Sequence, residues 1–366
     1  NRRSQDPALF GTIRVRRGPS RLPPRGDPRV RSDGAAPARV LAAFFERPLF
    51  PENFQASQTG IIDTAPLDDW VTFYEGSRRL TQYLRYAGYN AAVLSVNCEG
   101  SSLYPSDKTV PTPKYDSGVL LGTAADPRRK DVLEMLFRLF NREGLRLIPA
   151  IEFASLLPEL ERMRLDANLA SGQLDGMDMV RRDGKPWSEV HTPRGGLAPH
   201  YNPLDPRVQR AMRGVVKELV DRYAHHPAFA GVALQLGAET FAQFPDENWG
   251  WDRATRERFA RASGVDLIPD TPGTVITDAE RSLWLNWRAS QLGTFYKSLR
   301  ATIGHRRENG RLYLLGARML DYRRLQRELR PALARRGRRP LAMDKANADP
   351  APGAPMKPAD RIIREV

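Results

Sequence analysis

The chain has 366 residues, 41% of them hydrophobic, with 57 Lys and Arg against 43 Asp and Glu for a net charge of +14. That is enough apolar material for a sizeable core, and no stretch approaches the ~20 consecutive apolar residues of a membrane-spanning helix. The single cysteine, Cys98, excludes an internal disulfide and a cysteine-based zinc cage, and leaves the redox compartment open. The charge sits outside the segments that pattern as a fold. Residues 1–39 carry +7 and residues 321–366 carry +6, leaving +1 for everything between. Only eight of the basic residues are lysines. A nucleic-acid surface would set basic and aromatic side chains together on a folded face, so no nucleic-acid partner is expected.

Residues 1–37 are rich in Arg, Pro and Gly, with one strand-like piece at Gly11–Arg16. They read as a linker or as the end of an upstream domain. Residues 38–335 alternate strand and helix patterns. Apolar strands are predicted at Val40–Phe45, Ala91–Asn97, Arg146–Phe153, Phe229–Glu239 and Arg311–Arg318, and an amphipathic helix precedes each strand after the first. The helices are predicted at Ser77–Tyr86, Lys130–Arg142, Arg207–Tyr223 and Arg281–Ile303. Gly88, Gly144 and Gly304 suit their C-terminal ends, and Asp126-Pro127 and Asp205-Pro206 suit the starts of two of them. Residues 336–366, with four prolines between 350 and 358, read as a disordered tail.

Strict alternation implies a parallel sheet covered by helices. No glycine-rich phosphate loop follows the first strand, and the loops after the second and third are long. This favours a partial (β/α)8 TIM-barrel-like fold over a doubly wound open sheet. About five strands are visible, so a closed barrel is not expected.

Alternate residues of a barrel strand face its interior, and those at the C-terminal end reach the functional rim. On the fourth strand Gln235 and Glu239 share the interior parity with Ala233 and Gly237. On the third it falls to Ile148, Ala150 and Glu152, and on the second to Ser95, Asn97 and Glu99. Three successive strands thus end in polar side chains of one parity, as a polar cleft requires, and Arg318 ends the fifth. Trp249 and Trp251, in the loop after Glu239, can stack on sugars or simply pack the loop. Tyr201 and Asn202 precede the helix that leads into strand four, and either line the barrel mouth or belong to a helix-entry turn. The His225-His226 pair falls at the opposite end of the barrel and reads as structural. No metal site and no cofactor is expected.

Several segments carry a resemblance. Leu103–Ser106, Lys114–Asp116, Val132–Glu152 and Tyr201–Pro206 resemble the family-10-like glycosyl hydrolases of bacteria. Arg222–Gly231 and the Trp284-Leu-Asn-Trp-Arg288 stretch followed by Phe295-Tyr296 are similar to family-42 β-galactosidases. The resemblance implies a carbohydrate substrate and a general acid at the end of strand four, which falls on Glu239. It also implies a nucleophile at the end of strand seven, so the 366 residues alone are expected to be inactive. Asn97, Glu152, Tyr201, Asn202, Gln235 and Arg318 would bind sugar hydroxyls, with Trp249 and Trp251 stacking. Glu239 would be partly buried. The alternative is a non-catalytic barrel that binds carbohydrate or protein; oligomeric state is left open.

Overall fold

The structure is a computed structural model that describes residues 39–47, 54, 61–62, 65–66, 70–98, 101–109, 120–121, 124–125, 131–166, 174–190, 201–237, 239–267 and 276–316. Five strands form its centre: β1 (Ala42–Phe45), β2 (Ala91–Cys98), β3 (Arg146–Glu152), β4 (Gly231–Gln235) and β5 (Arg311–Leu315). They pair side by side in chain order and every pairing is parallel. A doubly wound sheet would reverse its strand order at a switch point; this one does not. The result is an open half-barrel with helices outside. Short antiparallel pairs decorate it, one of them joining Asn97-Cys98 to Ser101-Ser102.

The crossover helices are α1 (Trp70–Tyr86), α2 (Val132–Glu143), α4 (Pro206–Tyr223) and α6 (Asp278–Arg306). Two more of two turns or longer, α3 (Pro158–Leu165) and α5 (Arg253–Ser263), lie in the long βα loops, with a single helical turn at Trp187–Val190. Their ends follow local chemistry. Asp205 caps α4 by accepting from the backbone N–H of Arg207 and Val208, and Pro206 takes the first turn, where its missing N–H costs nothing. Asp131 caps α2 through the N–H of Glu134, and Gly144 ends it in the left-handed conformation at φ 67°. The proposed Asp126-Pro127 start lies outside the described residues, and the helix opens six positions after that aspartate. α6 begins at Asp278 because Thr277 and Glu280 form a reciprocal capping box, which sets its start ahead of the apolar stripe.

Strand parity divides the core into two layers. Leu94, Val96, Leu147, Ile151, Val232, Leu234 and Leu236 face the helices and join Leu136, Phe137, Phe140, Val215, Val216 and Leu219 in the main core. Val93, Ile148, Ala150 and Ala233 face the other way and pack with Ala42, Tyr313 and Leu315. Gly231 makes the β4–β5 approach possible. Its φ is 138°, and a Cβ there would lie 2.0 Å from the backbone oxygen of Arg311.

Candidate functional site

Gln235 closes the inner layer at the C-terminal end of β4. Its Nε2 donates to Ser95 Oγ at 2.8 Å and to the backbone oxygen of Glu46 at 3.1 Å, so one amide ties β4 to β2 and to the end of β1. Glu152 is the last residue of β3 and stands beside Gln235 in register. β4 ends at Gln235, four residues earlier than the strand pattern predicts. Glu239 is therefore carried by the following turn. That turn is pinned at both ends: Thr240 Oγ1 accepts from Gly237 N–H and donates to Gly237 O, and Phe241 N–H donates to Phe153 O at 2.8 Å.

Together these elements build a shallow cleft at the C-terminal rim, lined by Phe44, Glu46, Glu152, Gln235, Glu239 and Leu315. Glu239 is exposed rather than partly buried, because the chain has left the sheet before reaching it. Among the described residues no Arg or Lys forms an ion pair with it.

Asn97 occupies a neighbouring recess. The β2–β3 register slips between Ser95 and Asn97, so Asn97 is paired with Ile151 and not with Glu152. Such a bulge re-aims a side chain. Here it turns Asn97 into a small recess with Thr109, Glu152, Phe153, Ser155, Leu156 and Leu157. Glu152 borders both spaces and joins Asn97, Gln235 and Glu239 into one continuous rim.

The remaining candidates fall elsewhere. Tyr201 is fully buried; its hydroxyl donates to Glu161 and accepts from Leu157 N–H, and its ring meets Phe241 edge-on at 4.9 Å. Burial and the Glu161 carboxylate together push its phenol up. Asn202 is also fully buried, the two hydrogens of its Nδ2 shared among Gly176 O, Asp252 Oδ2 and Thr255 Oγ1 while its Oδ1 accepts from Leu204 N–H. The Tyr201 side chain is spent on α3 and the turn at Phe241, and that of Asn202 on holding the 174–190 loop and α5 against the entry to α4. Trp249 packs on Trp187 at 4.7 Å. Trp251 packs on Trp284 at 5.3 Å, and its Nε1 donates to Glu247 O. Neither tryptophan lines the rim; both are at most 5% exposed, which leaves no ring face for a sugar. Arg318 lies outside the described residues.

Glu46, Thr109 and Ser155 belong to the rim and are missed by strand parity. Glu46 follows β1 directly, so its place at a strand C-terminal end was a usable signal. Thr109 and Ser155 come from loops, and nothing in their spacing marks them.

At the opposite end, Glu134, His225 and His226 place three potential ligand atoms within 4.8 Å of one another. Hydrogen bonds decide against a metal there. Asn141 Oδ1 accepts from Ala228 N–H, which turns its Nδ2 toward His226 Nδ1. That fixes the His226 proton on Nε2, where it is donated to Glu134 Oε2 at 2.7 Å. The position a cation would need is filled by this hydrogen bond.

Fold and site together define a parallel β/α half-barrel with an acidic, amide-bearing cleft at the C-terminal ends of its strands. Among solved structures it is similar to the β-galactosidase of the psychrophilic Marinomonas ef1, at 14% identity and a TM-score of 0.46. That match covers 75% of this chain and 37% of the enzyme. It is also similar to the β-galactosidase of the haloarchaeon Halorubrum lacusprofundi (13%, TM-score 0.44, covering 66% and 34%). A third is α-L-fucosidase isoenzyme 2 of Paenibacillus thiaminolyticus (12%, TM-score 0.41, covering 66% and 29%). The chain thus spans about a third of the length of these enzymes. No protein-family model matches the sequence, and no curated protein does.

Proposed function

We propose that this half-barrel is a glycoside hydrolase-like domain whose rim cleft takes an oligosaccharide or polysaccharide, with Glu239 as proton donor to the glycosidic oxygen. The observation that carries the reading is the meeting of Glu152, Gln235 and Glu239 in one cleft at the C-terminal rim of a parallel β/α sheet, where barrels hold their chemistry. Carboxylates and an amide side by side offer the acceptors and donors that sugar hydroxyls need, and the sequence resemblance assigns the acid to Glu239. Glycosidic cleavage requires a second carboxylate across the bond, about 5–5.5 Å away for retention or about 6.5–9.5 Å for inversion. Glu152 is the carboxylate of the same cleft on a neighbouring strand; the resemblance places the usual nucleophile on a seventh strand. The acid role of Glu239 therefore depends on such a partner carboxylate across the glycosidic bond.

The test is kinetic. In a form of the protein that hydrolyses an oligosaccharide, whose sugar leaving group needs protonation, Glu239→Gln should lower kcat by roughly 10²–10⁴ while KM changes little, the usual loss on removing a general acid. Unchanged turnover would remove Glu239 from the chemistry. A second reading, a non-catalytic saccharide-binding barrel, is favoured by one observation: Glu239 is exposed on a turn and lacks the partial burial that would favour a proton donor.

A further inference from the structure

The rim cleft is shallow, so a ligand lies over it and not inside it, and what such a ligand needs is a flat exposed surface. Trp249 and Trp251, at most 5% exposed, do not supply one. Phe44 does. Among the described residues it is the only aromatic that lines the cleft, and it is 39% exposed. Strand parity puts it there. Ala43 and Phe45 pack against the helix-facing core and Ala42 against the inner layer, and Phe44 shares the parity of Ala42. It pairs in register with Val93, an inner-layer residue of β2.

Gln235 presents a complementary polar group. Its Nε2 donates to Ser95 Oγ and to the backbone oxygen of Glu46, which commits both amide hydrogens. A backbone oxygen can only accept, so the bond to Glu46 fixes which way the amide is turned. Its Oε1 is left to accept from whatever occupies the cleft that the residue lines.

We infer that Phe44 is a saccharide-stacking residue: one neutral pyranose unit lays its C–H face on the Phe44 ring while a hydroxyl donates to Gln235 Oε1. The inference rests on the rim being a saccharide site and names the residue that holds the sugar there. The chemistry selects this ligand over others that a benzene ring attracts. A purely apolar ligand would leave the Gln235 oxygen unanswered. A quaternary ammonium ion, which the ring and Glu239 would attract, carries no donor for that oxygen. A pyranose has both an apolar face and hydroxyls around its edge. Leu315, paired with Gln235 in register on β5, gives the cleft a second apolar side.

Titration of the full chain with xylotriose, cellotriose and β-1,4-galactotriose tests it, with melting curves and sedimentation for every variant. At least one trisaccharide should bind the parent. Phe44→Ala should weaken that binding by about tenfold, the worth of one aromatic contact, and Phe44→Trp should retain it. Phe44→Trp should also show a blue shift of indole emission on adding the sugar that the parent lacks, because the new ring becomes covered. Tetramethylammonium should not displace the sugar. If Glu239→Ala weakens binding but Phe44→Ala does not, or the emission of Phe44→Trp stays unmoved, the stacking role is wrong while the rim reading stands. Displacement by tetramethylammonium would make the ring a cation site, and a dimer that Phe44→Ala dissociates would make it an interface between copies; either overturns the inference. If none of the trisaccharides binds, both readings fall.

Discussion

Replacing Asn202 by alanine separates a structural amide from a sugar ligand. In the structure Asn202 is fully buried; the two hydrogens of its Nδ2 are shared among Gly176 O, Asp252 Oδ2 and Thr255 Oγ1, and its Oδ1 accepts from Leu204 N–H. Truncation leaves two oxygens, one carboxylate and one backbone N–H without this partner in a dry site. At about 1 kcal/mol for each neutral bond and somewhat more for the bond to the carboxylate, the loss is about 4 kcal/mol. For a folded unit of this size that corresponds to a fall in Tm of roughly 10 °C. The assay is thermal and urea unfolding of Asn202→Ala beside the parent, with saccharide titration below the variant's transition. The reasoning predicts a large stability loss and unchanged affinity per folded molecule. A loss under about 1 kcal/mol, or affinity abolished in a variant that melts with the parent, would refute it.

Two other perturbations follow from buried groups. Burial pushes the Asp252 carboxyl up to about 6, against its hydrogen bonds from Thr255 and the field of Arg258. Because the folded pKa lies above the unfolded one, the native state holds the extra proton, and stability is lost as pH rises from about 4 to 6. Asp252→Asn, which cannot titrate, should flatten that part of the pH–stability curve, whatever its offset from losing the oxygen that accepts from Asn202; parallel curves would contradict it. Gly231→Ala forces a Cβ onto the Arg311 backbone at a φ of 138°. It should cost more than about 3 kcal/mol and increase hydrogen exchange along β5, whereas a neutral substitution would mean the β4–β5 ladder is looser than described.

How far the sequence speaks differs between scaffold and site. The five strands and four crossover helices were legible because each carries its own period: the apolar runs at Ala91–Cys98 and Arg146–Glu152, and the stripes of α2 and α4. Helix α5, with Arg and Ala repeated around few apolar residues, had no such stripe and was missed. Site residues were legible as far as parity held. Glu152 and Gln235 sit at the last positions of their strands, on the parity that the pattern assigns them. Asn97 is at the rim through a bulge that a period of two cannot show. Glu239 reaches the rim on a turn and not on the strand, so its exposure was unforeseen. Tyr201, Asn202, Trp249 and Trp251 misled because polar and aromatic residues in site loops serve packing as readily as binding. Only their partners, such as Asp252, Glu161 and Trp284, tell the two apart, and those lie tens of residues away.

The most direct measurement of the central claim is a crystal structure of the chain soaked with xylotriose, cellotriose or β-1,4-galactotriose. The account predicts saccharide density at the C-terminal rim, with hydroxyls within hydrogen-bond distance of Glu152 and Glu239. Density confined to another surface, or an empty rim in crystals whose soaked chain binds the same sugar in solution, would contradict it.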